Sequence, residues 1–189
     1  MHEATAVLRS EHEVILRVLD ATEVTANAIE SGAEPPAQLL ADVVEFLRLY
    51  ADRQHHGKEE DLLFPELEKK GMPRSGGPVG MMLMEHQFGR SHIVKMAEAA
   101  NTYAAGDRGA GATWADAALD YVALLREHIA KENQILFVMA ERLLSPADQA
   151  RLFTEFEGVN KQKMGEGECA RLRRLAERLT AEVTRAVPS

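Results

Sequence analysis

Apolar residues recur at intervals of three and four along four long stretches of this chain, and no stretch keeps the period of two that a half-buried strand requires. The first stretch runs from about Thr5 to Glu30 and stops at Ser31-Gly32. Pro35-Pro36 opens the second, which continues to Lys70 and ends before Gly71, Pro73 and Gly76-Gly77. Pro65 lies inside it and is expected to kink or end the helix. Pro78 opens the third, which closes near Gly106, and the fourth comes after Gly109 and Gly111, from about Thr113 to Leu144. Proline at a helix start and glycine past its end fit the unpaired groups of helix termini. Short links between long helices predict antiparallel neighbours. The expected fold is all-α: an up-down-up-down four-helix bundle over residues 1–145, with additional C-terminal helices in an extension over 146–189.

In that extension, Ser145-Pro146-Ala147-Asp148 reads as an N-cap, a first-turn proline and a first-turn acid. A short helix to about Glu157 should come next, then Gly165-Glu166-Gly167. A last helix from roughly Glu168 to Thr184 carries Leu172, Leu175 and Leu179 at helical spacing. The extension is expected to pack on the bundle, or to offer a surface to a protein partner or a second copy.

Polar residues interrupt the apolar stripes at matching places. In the fourth stretch Tyr121, Leu124, Leu125, His128, Glu132, Ile135 and Met139 form one stripe. In the second, Leu40, Val44, Leu47, Ala51, His55, Glu59 and Leu62 do the same. His12 falls among Leu8, Ile15, Leu16 and Leu19, and His86 among Val79, Met82, Ile93 and Met96. Each helix thus sends a histidine inward. The segments at His55 and His128 are a repeat, HHGKEEDLLF and HIAKENQILF, both of the form H-x-x-K-E-x-x-[LI]-L-F. A histidine four residues before a glutamate places both on one helix face, about 6 Å of rise apart. His56 and Glu60 repeat the spacing one residue on, which rotates them toward the flank. Lys58 and Lys131 match between the copies and are expected in solvent.

Composition narrows the chemistry. The 189 residues suit one sizeable core, and hydrophobic and charged shares of 46% and 28% describe an ordinary globular protein. A net charge of −8 argues against nucleic acid. No apolar run is long enough to span a membrane, and no basic-then-apolar leader is evident, so a cytoplasmic protein is expected. The single cysteine, Cys169, excludes a disulfide framework and a cysteine-held cluster. Two glutamates facing a bundle core need compensation, since an unpaired buried charge costs several kcal/mol. Arg90 is the one core-facing cation in the pattern. Imidazole and carboxylate without thiolate suit iron, with manganese or zinc less favoured. With both glutamates bridging two irons and an oxo or hydroxo bridge added, an open position would remain for a small molecule.

The segments SEHEVI, HHGKEEDLLFP, MEHQFGR and HIAKENQILF resemble the ligand segments of the hemerythrin-like HHE cation-binding family, over roughly Ala4 to Leu144. The resemblance implies a non-haem, carboxylate-bridged di-iron centre held by His12, His55, Glu59, His86, His128 and Glu132. Oxygen-carrying hemerythrins have a further histidine one turn after the third-helix ligand, where this chain has Arg90. That departure speaks against simple oxygen storage and makes the ligand set more similar to bacterial iron–sulfur repair proteins, although the cysteine-containing N-terminal domain usual in those is not expected here. Arg90, Tyr121, His56 and Tyr50 are candidates for supporting positions around the ligands. The expected function is binding of, or reaction with, dioxygen, nitric oxide or hydrogen peroxide. Catalase-like or peroxidase-like turnover stays open, because no residue marks itself as a general acid or base. The alternative is a non-catalytic iron-binding sensor, or an iron–sulfur repair or iron-donor module.

Overall fold

A computed structural model describes residues 3–159, 165 and 167–186. Part of the linker before the last helix, Glu166 included, lies outside them. Six helices account for most of the described residues, and none of these forms a strand. α1 is Ala4–Glu30 and α2 covers residues 37–69. α3 is Gly77–Ala104, α4 covers 110–143, α5 is Pro146–Val159 and α6 is Glu168–Ala186. Among the described residues, no helix is long and apolar enough to cross a membrane.

Two apolar clusters fill the bundle. One contains Leu8 from the start of α1, Leu63 and Phe64 from the end of α2, Met82 from the start of α3, and Leu136 and Phe137 from the end of α4. Starts and ends meeting in one cluster establish the antiparallel, alternating course of the four helices. The other holds Ile15, Leu19, Leu47, Ala51, Ile93, Met96, Trp114 and Leu125. On every helix a short polar interval falls between the two, and these intervals stack into one layer across the bundle.

The extension helices close the core. α6 inserts Leu172, Leu175, Ala176 and Leu179 into the second cluster and pairs Arg171 with Glu45 and Arg178 with Asp42. α5 adds Leu152 and Phe156 to the first cluster. Its start is a capping box: the Asp148 N–H donates to Ser145 Oγ, and the Ser145 N–H donates to the Asp148 carboxylate.

α2 and α4 depart from regular α-helix. Leu47–His56 and Glu59–Leu63 in α2, and Glu132–Leu136 in α4, are π-helical. The Phe64 N–H donates to the Glu59 carbonyl, and the Phe137 N–H to the Glu132 carbonyl, so both repeat copies make the same wide turn. A turn closed by an i→i+5 bond holds one more residue than an α turn and rotates everything after it. The apolar stripes therefore do not continue as periodicity predicts. Ile135 and Met139 are 52% and 37% exposed, while Leu136 and Phe137 are buried. In α2, Leu62 is only partly covered and Leu63 and Phe64 are buried. Pro65 does not end the helix: it stands in the first turn of the α segment Phe64–Lys69. The widened turn before it relieves the clash of its ring with the preceding carbonyl.

The shifted register predicts opposite effects for neighbouring residues. Leu136→Ala should cost about 2–4 kcal/mol in urea unfolding, whereas Ile135→Ala should cost less than about 1 kcal/mol. Equal losses, or the reverse order, would contradict the wide turn.

Candidate metal site

The polar layer is built from two matching halves. In α2 and α4 the repeat presents His55 and Glu59, and His128 and Glu132. In α1 and α3 a Glu-His dipeptide presents His12 after Glu11 and His86 after Glu85. All eight side chains are buried. Each histidine is oriented through Nδ1 by an acceptor on a neighbouring helix. His55 bonds Glu11 at 3.0 Å and His128 bonds Glu85 at 2.9 Å. His86 bonds Glu60 at 2.7 Å and His12 bonds the Asn133 side-chain oxygen at 3.0 Å. Glu60 and Asn133 come directly after Glu59 and Glu132, at the same repeat position. The repeated lysine completes the scheme: Lys58 donates to Glu11 and Lys131 to Glu85.

Those bonds settle the tautomers. Carboxylate and amide oxygens only accept, so Nδ1 carries the proton and Nε2 presents a lone pair to the centre of the layer. The carboxylates converge on the same space. Glu59 directs Oε1 toward His55 Nε2 at 3.6 Å and Oε2 toward His86 Nε2 at 3.5 Å. Glu132 directs Oε2 toward His12 Nε2 at 3.1 Å and Oε1 toward His128 Nε2 at 3.3 Å. His86 Nε2 and His128 Nε2 lie 3.2 Å apart. Both carboxylates, with His12 Nε2 and His55 Nε2, are buried without a hydrogen-bond partner among the described residues. A convergence of acceptors with no donor is repulsive and fits a bound cation.

Electrostatics agree with that reading. Burial and the negative charge of Glu132 push the Glu59 carboxyl well above its ordinary range. Burial lowers His55 and His86 and brings His56 down to about 3, leaving neutral imidazoles, the form that binds metal. Two groupings have ligand atoms within 4.8 Å of one another: His12, His55, Glu59 and Glu132, and His56, Glu59, His86 and His128. Glu59 is common to both.

A family model, that of the hemerythrin HHE cation binding domain, matches residues 3–140. The chain belongs to that family. An uncharacterized protein of Mycobacterium bovis and similarly described proteins from two strains of Mycobacterium tuberculosis are 24% identical to it over 159 residues, which are 84% of this chain. The match covers 62% of the length of those relatives. No solved structure gives a significant match.

The structure of this HHE domain brings His12, His55, Glu59, His86, His128 and Glu132 into one layer. It corrects three expectations about their neighbours. His56 is not a flank residue: it is 3% exposed and its ring stacks on that of His86, with centres 3.8 Å apart. Lys58 is not in solvent but fully buried, and Lys131 is only partly exposed. Arg90 is partly exposed rather than core-facing, and it pairs at 2.7 Å each with Asp52 and Glu60, the acceptors of His56 and His86. Partial burial alone would raise the Asp52 and Glu60 carboxyls; hydrogen bonds to His56 and His86, with Arg90 on both, outweigh it and hold them at about 2. Tyr50 and Tyr121 are fully buried, and neither hydroxyl has a hydrogen-bond partner among the described residues; Tyr121 packs beside Gly89. Glu11, Glu85 and Asn133 were missed. The visible sign of the first two was the Glu-His dipeptide recurring in α1 and α3.

Carboxylates behind metal-bound histidines typically contribute 10–100-fold in affinity. Glu11→Gln and Glu85→Gln should each weaken metal binding by about that factor in a chelator competition assay. Lys58→Met strands the buried Glu11 charge and should cost about 3–5 kcal/mol of folding stability. Lys131→Met, at a side chain that is about one third exposed, should cost about 1 kcal/mol or less.

Proposed function

We propose that this HHE domain holds two iron ions in its polar layer and uses them to bind, or react with, a small oxidant: dioxygen, nitric oxide or hydrogen peroxide. The observation that carries the reading is the disposition of the two glutamates. Each aims one oxygen at a histidine of one grouping and its other oxygen at a histidine of the other. That is the arrangement of carboxylates shared between two cations. Imidazole and carboxylate donors without thiolate favour iron, which supplies redox chemistry and an open coordination position for a small ligand.

The rest of the layer supports small ligands over large ones. Phe137 stacks on His12 with ring centres 5.5 Å apart, and Phe64 faces His86 at 6.0 Å. Apolar clusters on both sides exclude bulk water and limit the space at the centre. An open cleft of about 470 Å³ lies outside, with Asp52, Glu60 and Arg90 in its wall. Asp52 and Glu60 are also the acceptors for His56 and His86. The cleft therefore reaches the layer through a single shell of charged side chains, which makes it the natural approach for a small polar molecule.

Anaerobic loading with ferrous ion should give about two metals per chain, and Glu59→Ala or Glu132→Ala should abolish paired binding. Optical spectra of the loaded protein, recorded after separate exposure to dioxygen, peroxide and nitric oxide, should show new charge-transfer absorption with at least one of them. Fewer than one metal per chain, or spectra unchanged by all three, would overturn the proposal.

A further inference from the structure

We infer that His56 is a fifth imidazole ligand, so that the two metal positions are unequal: His56, His86 and His128 serve one, His12 and His55 the other, with Glu59 and Glu132 shared. The inference rests on the two-metal reading above and concerns how the two positions differ.

Position is the first argument. Gln54, His55 and His56 are all buried, in a segment of wide π turns. The His56 ring lies parallel to that of His86, with centres 3.8 Å apart and planes 15° apart, and edge-on to His128 at 5.5 Å. A ligand atom of His56 stands within 4.8 Å of those of Glu59, His86 and His128. On its other side, Nδ1 meets Asp52 at 3.4 Å, leaving the far nitrogen for the layer. Arg90 sits on α3 one turn beyond His86, a place from which a side chain could otherwise complete this grouping. Its guanidinium is instead held outward by Asp52 and Glu60.

Chemistry is the second. Every histidine of the three-imidazole grouping has a carboxylate behind it: Asp52, Glu60 and Glu85 for His56, His86 and His128. In the other grouping His55 has Glu11, but His12 has only the amide of Asn133. A carboxylate acceptor makes the imidazole a stronger base and a better donor. One more ligand and two more carboxylates give the His56 position the higher affinity, so it fills first.

Anaerobic titration with cobaltous ion, followed by visible absorption and by bound metal per chain, reads the two positions separately. The wild-type protein should bind in two phases differing by at least about 10–100-fold. His56→Ala should weaken the tighter phase by about that factor and leave the other nearly unchanged. Asn133→Asp, which gives His12 a carboxylate beside Arg9, should tighten the weaker phase and narrow the gap. The second variant keeps the inference testable should His56→Ala fail to fold. A His56→Ala titration superimposable on wild type would remove His56 from the ligand set. A single wild-type phase of two equal metals, or a gap that Asn133→Asp leaves unaltered, would overturn the inequality while preserving the two-metal reading. A wild-type protein that binds no cobalt and no iron would overturn both.

Discussion

Lone pairs converging on one point impose the main constraint on this bundle. Four imidazole nitrogens and two carboxylates face each other in a layer sealed from water by apolar clusters above and below. Without positive charge such an arrangement opposes folding, because each acceptor has lost its water and gained a neighbour of the same polarity. Much of the surrounding structure answers that cost. Carboxylates behind the histidines fix the tautomer, lysines behind the carboxylates balance their charge, and flat aromatic rings close the layer. The protein has thus placed three successive shells of alternating polarity around a space suited to cations.

The shells repeat about an approximate two-fold axis. α1 relates to α2 as α3 relates to α4. In each pair the Glu-His dipeptide of the first helix supports the histidine of the second, and the residue after the second helix's glutamate supports the first-helix histidine of the other pair. Two side-chain pairs break the symmetry. Asn133 stands opposite Glu60, and His56 stands opposite Ile129, which belongs to the apolar core. Both departures load negative or basic groups onto the same half. The backbone differs as well: Leu47–His56 of α2 is π-helical, whereas the matching part of α4 is regular α-helix.

The bundle was readable from sequence because glycine and proline mark its turns and because its histidines occupy places in apolar stripes where leucine would otherwise stand. Readability stopped at the wide turns. Periodicity assumes a constant rotation per residue, so it carried Ile135 and Met139 inward after Glu132 when the backbone had already turned past them. The same assumption put His56 on the flank. Lys58 was misplaced for a different reason: its partner Glu11 lies on another helix, and a lone lysine in a helical pattern reads as solvated. The repetition of Lys58 at Lys131, taken together with the recurring Glu-His dipeptide, carried the pairing, but only the packing of α1 against α2 makes the connection visible.

The twin hydrogen bonds from Phe64 to Glu59 and from Phe137 to Glu132 also define what can be transplanted. A helix segment that ends at the glutamate would deliver the ligands but leave the next turn to close as ordinary α-helix. The recipient's next layer would then be out of phase by one residue, with leucine and phenylalanine facing water. The portable unit therefore extends from the histidine through the phenylalanine, and a scaffold meant to receive it must accommodate an inserted residue in two of its four helices.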